Sequence, residues 1–154
     1  MTSRVDHCNV VFAGAPKVIT NKLQRVLNSA ARVVSGTLKF NRGLRTADAY
    51  WLDVPERVKY KLSVITRRCL YGSAPRYLAA CCVPVSTTAS RQHLRSAAGH
   101  QLVIPSHRLT TYGRRAYSVA GPMFWNSLPR NLRDPSYTAV VFGRSLKTFL
   151  FSVY

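Results

Sequence analysis

The sequence is poor in acidic residues. Only 5 of its 154 residues are Asp or Glu, against 23 Lys or Arg, so the formal net charge is +18. Hard divalent cations need oxygen ligands, and glycoside hydrolysis needs a carboxylate pair at one bond. Asp53 and Glu56 are the only close pair in the sequence. The composition therefore argues against two-metal phosphoryl transfer and against carboxylate-based hydrolysis, although distant residues could converge in the fold.

Other signatures are also missing. The four cysteines, Cys8, Cys69, Cys81 and Cys82, form no CxxC pair and lack the usual zinc spacing. There is no GxxxxGK[ST] phosphate loop, no GxSxG motif, and no apolar run near the roughly 18 residues of a membrane span. We therefore expect no metal, no cofactor and no catalytic residue. Without a secretory signal, we expect an intracellular protein, nuclear or cytoplasmic and not secreted.

The apolar content is high enough for a folded core. Hydrophobic residues make up 47% of the chain and aromatic residues 10%, and a chain of this length buries about 68–70% of its unfolded surface. The patterns predict a mostly α, small irregular helical domain with long loops and at most one short strand pair. They divide it into a basic two-helix segment (1–82), a Ser/Thr-rich linker (83–100) and a C-terminal helical segment (101–154).

The first helical pattern lies between Pro16 and Gly36 and predicts a helix near 17–35. Apolar residues recur there at three- and four-residue steps, at Ile19, Leu23, Val26, Leu27, Ala30 and Val34. Such a stripe is typical of a helix that packs one face on a core. Pro16 suits the first turn, and Gly36 suits the left-handed position just past the end.

The second pattern predicts a helix near 54–71. Asp53 followed by Glu56 resembles a capping box, and Pro55 suits the first turn. An apolar stripe follows at Val58, Leu62, Ile65, Cys69 and Leu70. We expect the cations of this helix to crowd its remaining surface, at Arg57, Lys59, Lys61, Arg67 and Arg68. A short helical turn after Pro75 is expected to carry Tyr77 and Leu78 inward.

The C-terminal part shows weaker patterns. One short strand is predicted at 101–104, and a helix near 111–120 that ends at a Gly121-Pro122 break. The aromatic turn that follows should place Phe124, Trp125 and Leu128 in the core. A last helix is predicted near 137–150, with Ser136 as its cap.

The surplus of cations is the leading functional signal. Both strong helices interleave Lys and Arg with an apolar stripe, whereas an ordinary solvated face mixes charges of both signs. A phosphate backbone would relieve the self-repulsion, and release of its counterions would supply affinity. The candidate nucleic-acid contacts are Lys22, Arg25, Arg32, Arg57, Lys61, Arg67, Arg68, Tyr112, Arg114 and Arg115. The cations are expected to bind phosphates rather than bases, and Tyr112 to lie exposed beside them.

Other interpretations of these residues stay open. The cations could form a solvated face with no specific ligand, or meet an anionic membrane surface. His93, His100 and His107 repeat every seven residues, but Gly99 and Pro105 interrupt any helix that would align them. We therefore interpret them as surface imidazoles and not as a metal site.

Several long segments resemble one known family. They are 21–44, 51–78, 91–134 and 146–151, and the most specific are WLDVPERVKYKL (51–62) and TYGRRAYSVAGPMFWNSLP (111–129). These segments resemble the C-terminal part of the reverse transcriptase polyprotein of Jockey-type non-LTR retrotransposons. The resemblance covers nearly the whole chain. The connection 42–53 is shorter than in the family, so the first helix is expected to lack some packing partners.

The resemblance implies a thumb and post-thumb piece of an RNA-directed DNA polymerase. Such a piece would help to hold RNA or DNA while upstream polymerase segments, its expected partners, perform synthesis. The family's metal-binding motif, Tyr/Phe-x-Asp-Asp, does not occur in this chain, so no residue takes that catalytic role. Two alternatives remain: a basic protein-interaction module, and an orphan reading frame of a decayed transposon without selected function.

Overall fold

The computed structural model of the chain describes residues 9–36, 52–108 and 113–152. Its α-helices in these residues are α1 (Lys17–Ser35), α2 (Val54–Leu70), α3 (Arg76–Ala79), α4 (Arg95–Ala98), α5 (Tyr117–Ser127) and α6 (Ala139–Ser152). Its 3-10 turns are Asn9–Phe12, Val85–Thr87, Gly113–Arg115 and Arg130–Arg133. The described residues contain no strand, and the mostly α prediction is confirmed.

Helix α2 lies at the centre of the fold. It packs most extensively against α5, and it also contacts α1, α3, α6 and the turn at Asn9–Phe12. Its buried residues are Val54, Val58, Leu62, Ser63, Thr66, Arg67 and Cys69. These positions lie on several sides of the helix, because successive residues turn by about 100°. Only a narrow side of α2 is left for solvent.

Two hydrophobic clusters form the core. The larger consists of Cys69, Cys82, Leu102, Trp125, Leu128, Leu132, Phe142, Leu146 and Leu150. The smaller consists of Ala13, Val58, Leu62 and Ala120, and Tyr117 packs against both. Trp125 is 1% exposed and Leu128 3%, as predicted, and Phe124 is half-buried. The larger cluster takes side chains from both sides of the predicted linker, 83–100.

Helix α2 begins where it was predicted, but its cap is different. Asp53 is the N-cap residue, yet its side chain forms no cap hydrogen bond, so the predicted capping box is wrong. The backbone N–H of Val54 instead donates to Oε1 of Gln24, on α1, at 2.9 Å. This bond satisfies one of the first N–H groups of α2, which have no partner within their own helix. It also ties α1 to the start of α2.

Helix α5 runs through the predicted break. The prediction near 111–120 is wrong: the helix spans Tyr117–Ser127, with Gly121 and Pro122 inside it and buried. A Cβ at Gly121 would come within 3.1 Å of Thr66 Oγ1, so the glycine permits close packing on α2. Burial of α5 against α2 offsets the loss of the backbone hydrogen bond that Pro122 cannot form.

The predicted strand at 101–104 is not formed. A single bridge joins Leu102 to Pro84. The amide of Asn126, on α5, takes the place of a second strand: Leu102 N donates to its Oδ1 at 2.8 Å, and its Nδ2 donates to Leu102 O at 2.8 Å. The backbone polar groups of buried Leu102 are therefore satisfied by one side chain.

The shorter features follow the predictions in part. Helix α3 follows Pro75, and Leu78 packs against the larger cluster. Tyr77 is 72% exposed, so its inward placement was wrong, because a helix of four residues buries only one side. Helix α6 starts two residues after the predicted start, and Thr138 Oγ1, not Ser136, accepts the N–H of Val141 at 3.3 Å.

Helix α1 has the predicted bounds but not the predicted burial. It follows Pro16, its N-cap residue, and ends before Gly36, whose φ of 64° is left-handed as expected. Much of its apolar stripe is uncovered: Ile19 is 41% exposed, Val26 64% and Val34 88%. The expectation that the whole stripe faces the core was wrong. The helix packs chiefly along one edge, on α2, and extends beyond that contact.

Candidate nucleic-acid interface

The outward side of α2 carries three predicted contacts in one row. Arg57, Lys61 and Arg68 are separated by four and seven residues, and these spacings return to nearly the same side of a helix. Arg68 is exposed, and Arg57 and Lys61 are half-buried. We call these three residues the α2 strip. At about 1.5 Å per residue, the strip extends for about 17 Å.

The base of the strip is held by the chain before α2. Arg57 Nε donates to the carbonyl of Leu52 at 2.7 Å, which orients the guanidinium at the start of the helix. Lys59 lies on another side of α2 and is used within the fold. Its ammonium pairs with Glu56 at 3.6 Å and lies 5.8 Å from the ring centroid of Phe124.

Arg67 lies inside the protein, so the prediction that it belongs to the basic surface is wrong. It is 7% exposed. Its Cζ lies 4.4 Å from the ring centroid of Tyr71 and 4.8 Å from that of Phe142, and its Nη2 donates to the carbonyl of Tyr137. Flanked by aromatic rings and bonded to backbone, this guanidinium joins α2 to the segment before α6. It cannot reach a polyanion.

A second buried arginine follows the same pattern. Arg133 is 8% exposed, and its Nη1 donates to the carbonyl of Asn126 at 3.4 Å. Burial, and after it the charge of Arg130, lower the pKa of Arg133. Two of the cations in this basic chain are therefore parts of its core and not of its surface.

The predicted contacts on α1 face outward at its start. Lys22 and Arg25 are exposed, and Arg32, about two turns after Arg25, is half-buried. Spacings of three and seven residues place these side chains on neighbouring sides of the helix. The hydroxyl of Ser29 donates to the carbonyl of Arg25 at 2.9 Å, within the helix.

The predicted contacts before α5 differ from each other. Arg114 is exposed, while Arg115 is half-buried and its Nη2 donates to the carbonyl of Val11 at 3.4 Å. Arg115 thus fastens the turn at Gly113–Arg115 to the N-terminal turn. Tyr112 lies outside the described residues, and its predicted stacking role stays a prediction.

The structure also exposes cations that the sequence patterns did not single out. They are Lys17, Arg76, Arg91, Arg95, Arg108, Arg130, Arg144 and Lys147. Arg76, Arg91, Arg95, Arg108 and Arg130 lie in helices of four residues, in turns or in loops, where no periodic pattern indicates which way a side chain points. Lys17, Arg144 and Lys147 lie on the longer helices α1 and α6. These exposed cations are dispersed along the chain, whereas the α2 strip is a row on one rigid helix. That difference allows the strip to be tested against an equal number of other charges.

A cluster of polar groups lies beneath α2. The hydroxyl of Tyr117 is 3.3 Å from Cys69 Sγ, 3.4 Å from Cys82 Sγ and 3.3 Å from Thr66 Oγ1. Burial raises the pKa of Cys82 to about 11, and burial also raises the pKa of Tyr117, with the hydrogen bonds to the two thiols adding to it. A thiol that stays protonated at neutral pH is a poor nucleophile. The cluster is suited to joining helices, not to covalent catalysis.

Other kinds of site find no support in the described part of the chain. His93 and His100 are exposed and His107 is half-buried. Within residues 9–36, 52–108 and 113–152, no three His, Cys, Asp or Glu side chains come together as metal ligands would. None of the helices described there has both the length and the apolar character needed to cross a bilayer.

Comparison with known proteins gives no relative. No protein-family model matches the chain, and neither the curated proteins nor the solved structures that were compared give a match.

Proposed function

We propose that this chain is a non-catalytic nucleic-acid-binding segment of a retroelement reverse transcriptase. It would hold RNA or DNA by the phosphate backbone while upstream polymerase segments perform synthesis. The observation that carries the binding proposal is the α2 strip, formed by Arg57, Lys61 and Arg68 on the outward side of the central helix. The segments that resemble Jockey-type reverse transcriptases, above all 51–62 and 111–129, support the assignment to a retroelement.

The strip suits a polyanion because of its spacing and its support. Arg57 and Lys61 are about 6 Å apart along the helix axis. Duplex DNA carries about one negative charge per 1.7 Å of its axis, so a row about 17 Å long can meet several phosphates. The other sides of α2 are packed in the core, so the backbone that carries the strip is fixed before a ligand arrives, and binding has to order only the side chains.

The overall charge gives the strip its long-range attraction. With 23 basic and 5 acidic residues, at most five cations could be neutralised one-for-one, and the remainder stays positive. Such an excess speeds association with a polyanion and gives affinity that salt weakens. Lys22, Arg25 and Arg114, all exposed, would extend the contact beyond α2.

The salt dependence of affinity tests this proposal. We expect the full chain to bind RNA and DNA oligonucleotides of duplex and single-stranded form, with affinity that falls steeply as salt rises. If about six phosphates are engaged on duplex DNA, the logarithm of the binding constant should fall with the logarithm of salt with a slope of about −5. Fluorescence anisotropy at several salt concentrations gives this slope. An affinity that does not change with salt would exclude contact through phosphates.

A further inference from the structure

Helix α1 carries a narrow row of exposed apolar side chains. Ile19, Val26 and Val33 follow each other at seven-residue steps, and they are 41%, 64% and 84% exposed. Residues spaced by seven lie on nearly the same side of a helix. Between them, Leu23 and Ala30 are half-buried. We call Ile19, Val26 and Val33, with these two residues along their inner edge, the α1 seam.

The spacing of the seam is that of a coiled coil. Its five residues alternate steps of four and three, which is the a/d repeat of a helix that packs against another helix. A helix that buries a face on a globular core, or that lies in a bilayer, presents a wider apolar face. Here the apolar row is bordered by Lys22 and Ser29, which are both exposed. Val18 and Val34, 65% and 88% exposed, widen the apolar side of α1 only near its two ends. The middle of the seam stays narrow, which fits a single partner helix better than a membrane.

Charge indicates which helix would fit. Lys22 and Arg25 are exposed on the side of α1 next to the seam. In the heptad that the seam defines, Lys22 takes the g position, from which a side chain reaches charges on a partner helix. A second copy of this chain is disfavoured, because it would bring the same cations together and the whole chain has only 5 acidic residues to offset 23 basic ones. A partner with carboxylates along the edge of its apolar stripe would turn this repulsion into attraction.

We propose that the α1 seam docks an amphipathic helix of a partner protein that presents an apolar heptad stripe flanked by Asp or Glu. This interaction leaves the α2 strip accessible to nucleic acid, because the strip lies on another helix, and of the cations proposed to extend the nucleic-acid contact it engages Lys22. The partner would cover Val26 and Val33, and its carboxylates would pair with Lys22, while Arg25 adds to the positive charge nearby. Binding of such a helix leaves the cations of α2 available.

A designed peptide tests the proposal. The probe is a helical peptide about three heptads long, with Leu and Ile at its a and d positions and Glu at its flanking positions, which keep it from self-associating at neutral pH. Two further peptides replace either the flanking Glu by Lys or the apolar stripe by Ser and Ala. We expect the full chain to bind the first peptide at least about tenfold more tightly than the others.

Variants of the chain locate the contact. The double variant V26S/V33S should weaken binding of the Glu-flanked peptide about tenfold or more, because both valines would be buried by the partner. The matched control is V140S/V141S, since Val140 and Val141 on α6 are 74% and 44% exposed; it should bind as the original chain does. Lys22→Glu should weaken binding of the Glu-flanked peptide and strengthen binding of the Lys-flanked peptide. An unfolded variant would not show the second effect.

Three results would overturn the proposal. Equal binding of the peptide by V26S/V33S and by the original chain would mean that charge alone attracts it. The chain could instead bind vesicles of phosphatidylserine and phosphatidylcholine through the two valines and not bind the peptide. That result would show that the α1 seam binds a bilayer. Valine-dependent dimerisation of the chain in analytical ultracentrifugation would make it a second copy. The duplex affinity of V26S/V33S should stay unchanged, so failure here is distinct from failure of the proposed function.

Discussion

The two long helices, α1 and α2, have similar patterns of apolar and basic residues but opposite positions in the fold. Each combines an apolar stripe with Lys and Arg and carries almost no acid. Helix α2 is enclosed by α1, α3, α5 and α6, and Leu62 at its middle is 1% exposed. Helix α1 lies at the edge, and Val26 at its middle is 64% exposed.

This difference separates two properties of a helix: which of its sides is apolar, and how much of that side is buried. The pattern shows that one side of a helix is apolar, but the number of neighbouring elements decides how much of that side is covered. For α2 the neighbours are numerous enough that even Arg67, among its cations, is enclosed. Among the described residues α1 packs chiefly on α2, which leaves the seam available to another molecule.

Truncating one apolar side chain on each helix should give the largest difference in the free energy of unfolding. We expect Leu62→Ala to lower the free energy of unfolding by about 2–5 kcal/mol, because it leaves a cavity in a packed core. Val26→Ala should change it by less than about 0.5 kcal/mol, because the side chain is already in water. Urea denaturation followed by circular dichroism measures both. Similar losses for the two variants would contradict the peripheral position of α1.

Two adjacent arginines of α2 give the next contrast. Arg67→Ala should lower the free energy of unfolding by about 2–3 kcal/mol, because the carbonyl of Tyr137 loses its donor and the rings of Tyr71 and Phe142 lose their packing partner. Arg68→Ala should change it by less than about 0.5 kcal/mol. In the same urea experiment, Arg67→Met should recover part of the loss, since it refills the space between the rings. A larger loss for Arg68→Ala would contradict the assignment of Arg68 to the strip and Arg67 to the core.

The sequence predicted the helices better than it predicted their contacts. The bounds of α1 and α2 follow from periodicity, Pro16, Pro55 and Gly36, because these signals are local. The contacts that fix the fold join distant residues: Gln24 to the start of α2, and Asn126 to both polar groups of Leu102. An amide side chain that satisfies backbone from another segment has no local pattern. Such contacts therefore could not be predicted.

The candidate site was predicted unevenly for the same reason. Arg57, Lys61 and Arg68 lie on the outward side of α2 because each stands one position before a residue of the apolar stripe, Val58, Leu62 and Cys69, which turns them about 100° away from it. Arg67 directly precedes Arg68 and is also a cation outside the apolar stripe, yet Tyr71 and Phe142 of α6 enclose it. The helix through Gly121 was missed because its cause is a close contact with α2, which overrides the local tendency of glycine and proline to end a helix.

A smaller contrast between the two helices concerns the pH dependence of stability. Helix α2 contributes Thr66 and Cys69 to the cluster around the Tyr117 hydroxyl, and α1 contributes none of its members. The pKa of Cys82 is raised from 9.0 to about 11 by burial. In the folded state the thiol thus keeps its proton where the unfolded state loses it, and the unfolded state binds fewer protons. The stabilising contribution is complete below about pH 9 and is lost as the pH rises towards about 11. The raised pKa of Tyr117 adds to the loss above about pH 10.

Urea denaturation between pH 8 and about 11 measures this loss, and the slope with pH is the quantity to compare. Cys82→Ser should reduce the slope, since serine does not titrate. Cys81→Ser is the matched control, because Cys81 lies next to Cys82 but its thiol contacts the carbonyl of Tyr77 instead of Tyr117. An unchanged slope in Cys82→Ser would show that the buried thiol does not contribute.

The most direct test of the central claim removes the same charge from two places. One variant replaces the α2 strip (R57Q/K61Q/R68Q), and the other replaces three dispersed, exposed cations that lie on separate elements (R76Q/R91Q/R144Q). Both lower the net charge by three, so a general attraction affects them equally. At a fixed moderate salt concentration, we predict that the strip variant binds duplex DNA at least about tenfold more weakly than the dispersed variant, with a salt slope smaller by about 3. Equal affinities and equal slopes for the two variants would contradict the account.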